Sequence, residues 1–487
     1  MKKLNVVGII IMSLFTLSCS NWLDVKPKSE VESDLLFEDE GGFKSALTGV
    51  YGRMCGENLY GRELTFDLLE ELAQRYDAGQ KYASLTGEAR LRMYDYKNDY
   101  TEGVSSKVRL SNIWNDMYRD IVNINNLLMN LDKQGKDIIT TPNYFEVIKG
   151  EALGLRAFHY FDLLRMWGPV DIKNNGTTPV VPYRTSVGYE KLAPMSADSM
   201  IIMIEKDLLE AEALLKNDAC EWENVVDYPF LAYRQYRMNK WAVKALMARF
   251  YLYVGESEKA AQKAKAVIDS CNLNLQVSMK ADHALFDETI FALDYANMEG
   301  DLENYFGTGQ ISVTSQSQKL LGQSTLDWLY ERTSIGINDI RGLNGQGVVV
   351  ASNSAMSRKF IIDGENASYN DKVPLIRLSE MYYILAETLP AGEAVDYINM
   401  VRGVRGISSV NDIAEDDFNT RDEVVEALRK EYAKDFLGEG QYFYFLKRNK
   451  IELLPLNEYA NIEMLNSYYV FEIPDAEKEY GIVTEKY

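Results

Sequence analysis

The sequence predicts a mostly α fold made of helix pairs, and three observations carry that prediction. Apolar residues recur at steps of three and four over long stretches. Alanines sit on the stripes of neighbouring segments, and Gly or Pro stands where one stripe stops and the next begins. Strand-like runs, such as Gly347–Val350 and Lys359–Ile362, are short and few.

The chain opens on an address. Lys2 and Lys3 precede the mostly apolar run Leu4–Leu17, which is shorter than the roughly 20 residues a spanning helix needs. Residues 1–18 therefore read as a signal peptide. Thr16-Leu17-Ser18-Cys19 closes the run and resembles a bacterial lipobox, which makes Cys19 the expected lipidation site. Multiple acyl chains on that thiol would anchor the protein stably to a membrane. Residues 19–33 are mostly polar and read as a lipid-anchored tether; residues 34–487 form the folded part.

Helical stripes then follow in order. Ile113, Met117, Ile121, Ile124 and Leu128 form one, and Leu153, Ala157, Tyr160, Leu164 and Trp167 form the next, stopped by Gly168-Pro169. Trp241, Ala245, Ala248 and Leu252 run up to Gly255; Ala260, Ala264 and Val267 resume beyond it. Leu378, Met381 and Leu385 are separated by Pro390-Ala391-Gly392 from Ala394, Ile398 and Val401, and Val424, Leu428 and Tyr432 come last. Helical material is thus expected around 108–168, 196–216, 235–254, 256–271 and 374–405. Small residues on facing stripes let helices approach closely, as in tetratricopeptide-type arrays, although the 34-residue period is not regular here. Weakly periodic stretches at 56–107, 170–195, 217–234, 272–320 and 330–373 read as long inserts, where function concentrates.

Composition narrows the function. A net charge of −21 opposes phosphate backbones, so nucleic acid is not an expected partner. Only His159 and His283 are present, and HExxH, CxxC, G-x-S-x-G and P-loop patterns are absent. Glu415-Asp416-Asp417 lacks the spacing of a calcium loop and reads as a solvated face. No metal, cofactor or catalytic residue is expected. Cys55, Cys220 and Cys271 read as small buried hydrophobes. The 32 tyrosines are the positive signal. Tyr76, Tyr94, Tyr96, Tyr295, Tyr305, Trp222 and Trp328 fall in or beside the inserts, with Arg75, Asp77 and Asn98 nearby. Flat rings beside amides and charged groups can stack on sugar faces and bond hydroxyls; the same rings can pin loops to a core. Arg75, Tyr76, Asp77, Tyr94, Tyr96, Asn98, Tyr295 and Trp328 are the candidate ligand contacts.

Several segments together carry the motifs of one family. The start Cys19-Ser20-Asn21-Trp22-Leu23-Asp24-Val25-Lys26-Pro27 resembles its C-x-x-x-L-D-x-x-P. Gly150-Glu151-Ala152, Leu155-Arg156-Ala157, Tyr160-Phe161, Leu163 and Trp167-Gly168 are similar to its first long motif. Asn239, Ala242, Ala245-Leu246 and Ala248-Arg249 follow its central helix. Ile376-Arg377, Glu380 and Ala386-Glu387, then Asn399, Arg402 and Arg405, follow the next two, with Ser379 in place of Ala and one extra residue between the arginines. Glu431, Asp435, Glu439-Gly440 and Arg448 match the late acid-rich motif, while Tyr442 and Phe445 replace its usual Arg and Asp; Ile473-Pro474 fits the closing segment.

Together these segments resemble the SusD/RagB lipoproteins, and the resemblance implies a single domain with an N-terminal part about 34–220 and a C-terminal part about 270–487. It implies a cell-surface lipoprotein of a Bacteroidetes-type outer membrane, which captures oligosaccharide and passes it to a SusC-like TonB-dependent transporter without cleaving it. Shared motif residues are expected to build the scaffold, with Arg377 and Glu380 as paired helix-packing charges. Ligand contacts are expected on inserts, at 60–100 and 290–330. Alternatives are the same role for a peptide or other nutrient, a tetratricopeptide-like scaffold whose only ligand is the transporter, and an α-helical glycosidase.

Overall fold

The computed structural model describes residues 35–76, 105–220, 222, 229–296, 298–307, 309–312, 317–351, 353–361, 371–418, 420–452 and 466–482. The signal, Cys19, the tether and the candidates Asp77, Tyr94, Tyr96 and Asn98 lie outside those residues.

Helices dominate. α1 (Glu40–Met54) starts at Asp39, whose carboxylate accepts from Gly42 N at 2.8 Å, and buries Phe43, Leu47, Val50 and Met54. No helix is expected here from the sequence. A single turn, α2 (Leu68–Leu72), follows a compact run of turns. The helical material expected over 108–168 is two helices, α3 (Ser106–Asn130) and α4 (Tyr144–Trp167), separated where Asn143 takes φ 65°. Almost every residue of α4 is buried, so it is the central helix, packed from several sides. Gly150 and Gly154 make that possible: a Cβ on them would lie 2.7 Å from Leu215 Cγ and 2.6 Å from Met238 Cγ. Lys447 reaches the carboxyl end of α4 and donates to Arg165 O (2.6 Å) and Gly168 O (2.9 Å).

The short antiparallel pair β1 (Pro179–Pro182) and β2 (Pro194–Ser196) leads into α5 (Ala197–Leu214). α6 (Lys240–Val254) is capped by Asn239, whose side-chain oxygen accepts from Trp241 N (2.8 Å) and Ala242 N (2.9 Å). Gly255, at φ +83°, ends α6, and α7 (Ser257–Ser270) turns back along it. β3 (Thr289–Asp294) pairs antiparallel with β7 (Lys372–Arg377), from Thr289↔Arg377 to Asp294↔Lys372. Between them lie β4 (Leu320–Gly322), α8 (Gln323–Tyr330), β5 (Val348–Ala351) and β6 (Ser354–Ser357), with sheet order β4-β6-β5. The expected strand at Lys359 is instead a 3₁₀ turn, Arg358–Phe360. α9 (Leu378–Thr388), α10 (Ala391–Val404), α11 (Arg421–Asp435), α12 (Gln441–Arg448) and α13 (Asp475–Tyr480) complete the order. Neighbours in sequence pack as pairs: α4 on α5, α6 on α7, α9 on α10, with α7 also against α9. Ala245, Ala248, Ala260 and Ala264 are fully buried in those seams.

The charged motif residues sit in the core as partners. Arg377 donates to Glu288 (2.7 Å), Asp435 (3.1 Å) and Glu439 (3.0 Å), and Arg405 to Glu288 (2.6 Å) and Asp435 (3.0 Å). Arg249 forks onto Glu380 at 2.6 Å through two bonds, and Arg156 onto Asp207 at 2.7 Å. Arg377 and Glu380 are thus both packing charges, each with a different partner. Where the usual Arg and Asp are missing, Tyr442 and Phe445 stack at 6.3 Å, and Phe445 stacks on Tyr432 at 4.5 Å.

Candidate functional site

The inserts at 56–76 and 294–330 meet, and the chain's own chemistry makes them do so. Residues 57–71 carry Glu57, Glu63, Asp67, Glu70 and Glu71 around a lone base, Arg62. Cations must come from elsewhere, and two do. Arg109, on the first turn of α3, bonds Glu63 (3.0 Å) and Asp67 (2.9 Å). Lys319, just before β4, reaches Asp67 (2.7 Å) and Glu71 (2.9 Å). Burial disfavours ionised Asp67, but Arg109 and Lys319 outweigh it and hold that carboxyl well below the usual range.

Tyr305 closes the join. Its hydroxyl accepts from Arg62 Nη1 at 3.3 Å, and Lys319 Nζ lies 5.6 Å from its ring centre. Phe66 anchors the same point from below, against Tyr305 (5.4 Å), Phe306 (5.2 Å) and Phe360 (5.3 Å). Tyr305 and Arg62 remain partly exposed, and Arg62 also pairs with Glu57 at 2.6 Å. A second link ties the end of α1 to the end of β3, with Cys55 Sγ donating to Asp294 O at 3.6 Å. The result is an aromatic face, a guanidinium and carboxylates held at one surface, which suits a ligand rich in hydroxyls.

The sequence-derived candidates fall into three groups. Arg75 and Tyr76 are buried, 3% and 2% exposed. Arg75 donates to Ala433 O (2.5 Å) and lies 4.9 Å over the Tyr442 ring; the Tyr76 hydroxyl donates to Phe66 O (2.9 Å). In this arrangement both pin the insert to the core: each bonds a backbone carbonyl, and Arg75 Nε also lies 3.5 Å from the Glu70 carboxylate. Trp328 is 49% exposed, with Lys430 Nζ 5.6 Å over its ring. Lys430 and Ala433 lie one turn apart on α11, so α11 receives both Trp328 and Arg75. Tyr295 is half-buried where β3 ends, its amide bonded to Asp371 O at 2.8 Å. Asp77, Tyr94, Tyr96 and Asn98 lie outside the described residues. Trp222 is a pin, donating to Cys271 O at 3.2 Å.

Arg62, Asp67 and Lys319 were not singled out from sequence. The available signal was an isolated base within an acidic run, together with a lone lysine in a polar insert. The histidines have structural partners: His159 bonds Leu155 O (2.8 Å) and Asp120 (3.3 Å), and His283 bonds Lys280 O (3.1 Å). Cys55, Cys220 and Cys271 are buried free thiols, and burial pushes Cys55 up to about 12. Among the described residues, no group of three His, Cys, Asp or Glu side chains is placed to hold a metal, and no helix is long and apolar enough to cross a membrane.

Comparisons with known proteins agree with this architecture. A family profile described as starch-binding and associating with the outer membrane matches residues 21–252, and the SusD family profile matches 248–484. SusD-like protein P2 of Formosa agariphila is 24% identical over 505 aligned positions, covering 93% of this chain and 91% of its own. SusD-like protein P25 of the same organism is 22% identical over 330, covering 66% of this chain; the chain spans only 57% of that relative's length. A SusD superfamily crystal structure from Bacteroides thetaiotaomicron aligns with TM-score 0.69 at 21% identity, covering 91% and 98% of the two chains. A laminarin-binding SusD-like protein aligns with TM-score 0.57 at 18% identity, covering 85% and 92%. Two adjoining profiles that together run from residue 21 to 484, on a helical scaffold with the same motif residues at its core, place the chain in the SusD/RagB family.

Proposed function

We propose that the protein is a cell-surface lipoprotein, anchored through Cys19 in an outer membrane. In this reading it captures an oligosaccharide and delivers it to a SusC-type TonB-dependent transporter. Capture involves no bond cleavage. The observation that carries the reading is the meeting of the two inserts at Tyr305, where a partly exposed ring, Arg62 and the Glu57 carboxylate share one surface. Tyr305 and the exposed Trp328 supply stacking faces; Arg62 and its acids orient hydroxyls. Tyr295 flanks the same insert, and Asp77, Tyr94, Tyr96 and Asn98 enter by sequence alone. The family is one of binding proteins, and laminarin binding by a protein of the same fold supports a glycan ligand. Salt links already made by Arg62, Arg109 and Lys319 to Glu63, Asp67 and Glu71 keep the face in shape before binding, which lowers the ordering cost.

The test is a thermal-shift titration of the purified protein against neutral oligosaccharides and against peptides. A ligand of the folded state raises Tm by mass action. The expected result is a dose-dependent rise with one glycan class that Arg62→Ala/Tyr305→Ala reduces. A rise with peptides alone would replace the glycan in this account, and a glycan response untouched by that variant would move the site elsewhere.

A further inference from the structure

A second concave surface lies on the other side of α3. Its floor is Trp114 and Tyr118, one turn apart with ring centres 5.1 Å from each other. Tyr118 follows Arg109 by nine residues, so it stands about 13 Å further along α3 and roughly half a turn around it. One wall is the loop joining β1 to β2, and the other is α13.

That loop is built from beneath. Tyr160 stacks on Tyr183 at 3.7 Å and 16°, and its hydroxyl both accepts from Arg184 N (2.6 Å) and donates to Arg184 O (2.8 Å). Asn125 Nδ2 donates to the same carbonyl at 3.0 Å, and the Tyr118 hydroxyl donates to Pro182 O at 2.6 Å. Beyond this fixed point the Arg184 guanidinium gathers the loop around itself, donating to Gly188 O (3.0 Å) and to Glu190 O, with the Glu190 carboxylate 3.6 Å away. The consequence is that Tyr189 is thrown outward, 100% exposed. Across the hollow, Tyr480 of α13 is 64% exposed. Neither ring helps the core, yet one of them is held out by a dedicated set of bonds.

The hollow measures 330 Å³, at the small end of the range of about 300–1,000 Å³ typical of ligand sites. Its charged lining balances: Arg184 and Lys191 against Glu190 and Glu477. Balanced charge gives no preference for an acidic or a basic ligand, while Asn115 and the two carboxylates offer bonds to hydroxyls. Aromatic floor, two outward tyrosines and neutral polarity together fit the alternating apolar faces and hydroxyl rims of pyranose rings. We propose that this hollow is a second glycan site, which takes a short stretch of a neutral oligosaccharide between Tyr189 and Tyr480 over the Trp114–Tyr118 floor. It is independent of the Tyr305 face.

The experiment titrates the purified protein with laminarihexaose, maltohexaose and mannohexaose, read by calorimetry and by tryptophan fluorescence. Three forms are compared: unaltered, Tyr189→Ala/Tyr480→Ala, and Arg62→Ala/Tyr305→Ala. Both tyrosines are exposed, so an unchanged Tm verifies that the first variant folds. The expected result is binding of at least one hexasaccharide with a change in tryptophan emission. Tyr189→Ala/Tyr480→Ala should weaken that component tenfold or more, and Arg62→Ala/Tyr305→Ala should retain it. Identical affinity and stoichiometry in the unaltered and Tyr189/Tyr480 forms would overturn the proposal, as would no binding of any of the three sugars. Loss in the Arg62/Tyr305 form alone would overturn it while supporting the site under Proposed function. Loss in the Tyr189/Tyr480 form alone would do the reverse.

Discussion

Tyr76 and Tyr305 sit on the two inserts that meet, yet their environments assign them different work. The Tyr76 hydroxyl bonds a backbone carbonyl in a buried site, while the Tyr305 ring is partly exposed beside Arg62. Tyr76→Phe should therefore cost about 1 kcal/mol of stability and leave glycan affinity unchanged; urea unfolding paired with calorimetry checks both halves. Glu70 offers a pH signature. Burial raises it from 4.5 to about 7, against the weaker opposing pull of Arg75. Between those values the folded state holds a proton that the unfolded chain has released, so stability falls as pH rises through the window. The expected loss is on the order of 2–3 kcal/mol. Urea midpoints at pH 5 and 7.5 should show the decline, and Glu70→Gln should flatten it. At this scale the sequence was least legible. It flagged aromatic and polar residues on inserts but could not say which face inward: Arg75 is as polar as Arg62, and only the packing of Ala433 and Tyr442 around it buries one and not the other.

At the scale of elements, the capped helix is the unit that carries the scaffold. Asn239 caps α6 and at the same time donates to Ile290 O at 2.9 Å, tying the helix start to β3. Asn239→Ala should cost about 2 kcal/mol, the upper part of the usual capping range, because a strand carbonyl also loses its donor. Circular dichroism melts measure it. Helix stripes read well from sequence because burial repeats with the helix turn; Ile113, Met117, Ile121 and Ile124 are all fully buried. α1 is missed although Phe43, Leu47, Val50 and Met54 keep the same spacing, because four glycines dilute its pattern. β3 and β7 escaped because each is buried along nearly its whole length, which removes alternation, and their pairing joins residues more than seventy positions apart.

Among the described residues, stability rests on one large apolar core threaded by buried ion networks, beside a small separate cluster of Met279, Leu285 and Ile340. Motif residues that the sequence reading placed in the scaffold are found there, because several charges at helical spacing can be buried only with partners. Glu431 shows the balance: burial opposes its charge, but Arg341, Lys434 and Arg402 prevail and lower it to about 2. Asp435 is held well below its ordinary range by Arg405, Arg377 and Arg341 despite burial. Their contribution is complete above about pH 4.5 and is lost as pH falls through their folded values, so acid unfolding should set in below pH 4. Arg377→Leu leaves Glu288, Asp435 and Glu439 short of a cation and should cost about 3–5 kcal/mol. Calorimetric Tm at pH 7 would show it.

The role proposed for this fold is capture of a glycan without altering it, at the Tyr305–Arg62 face. Calorimetric titration with the oligosaccharide class that raises Tm tests it most directly, when the recovered sugar is also analysed for cleavage products. The expected result is saturable binding, the sugar recovered intact, and loss of at least tenfold in affinity of the component carried by the Tyr305 face in Arg62→Ala/Tyr305→Ala. Cleavage products, or affinity unchanged in that variant, would contradict it.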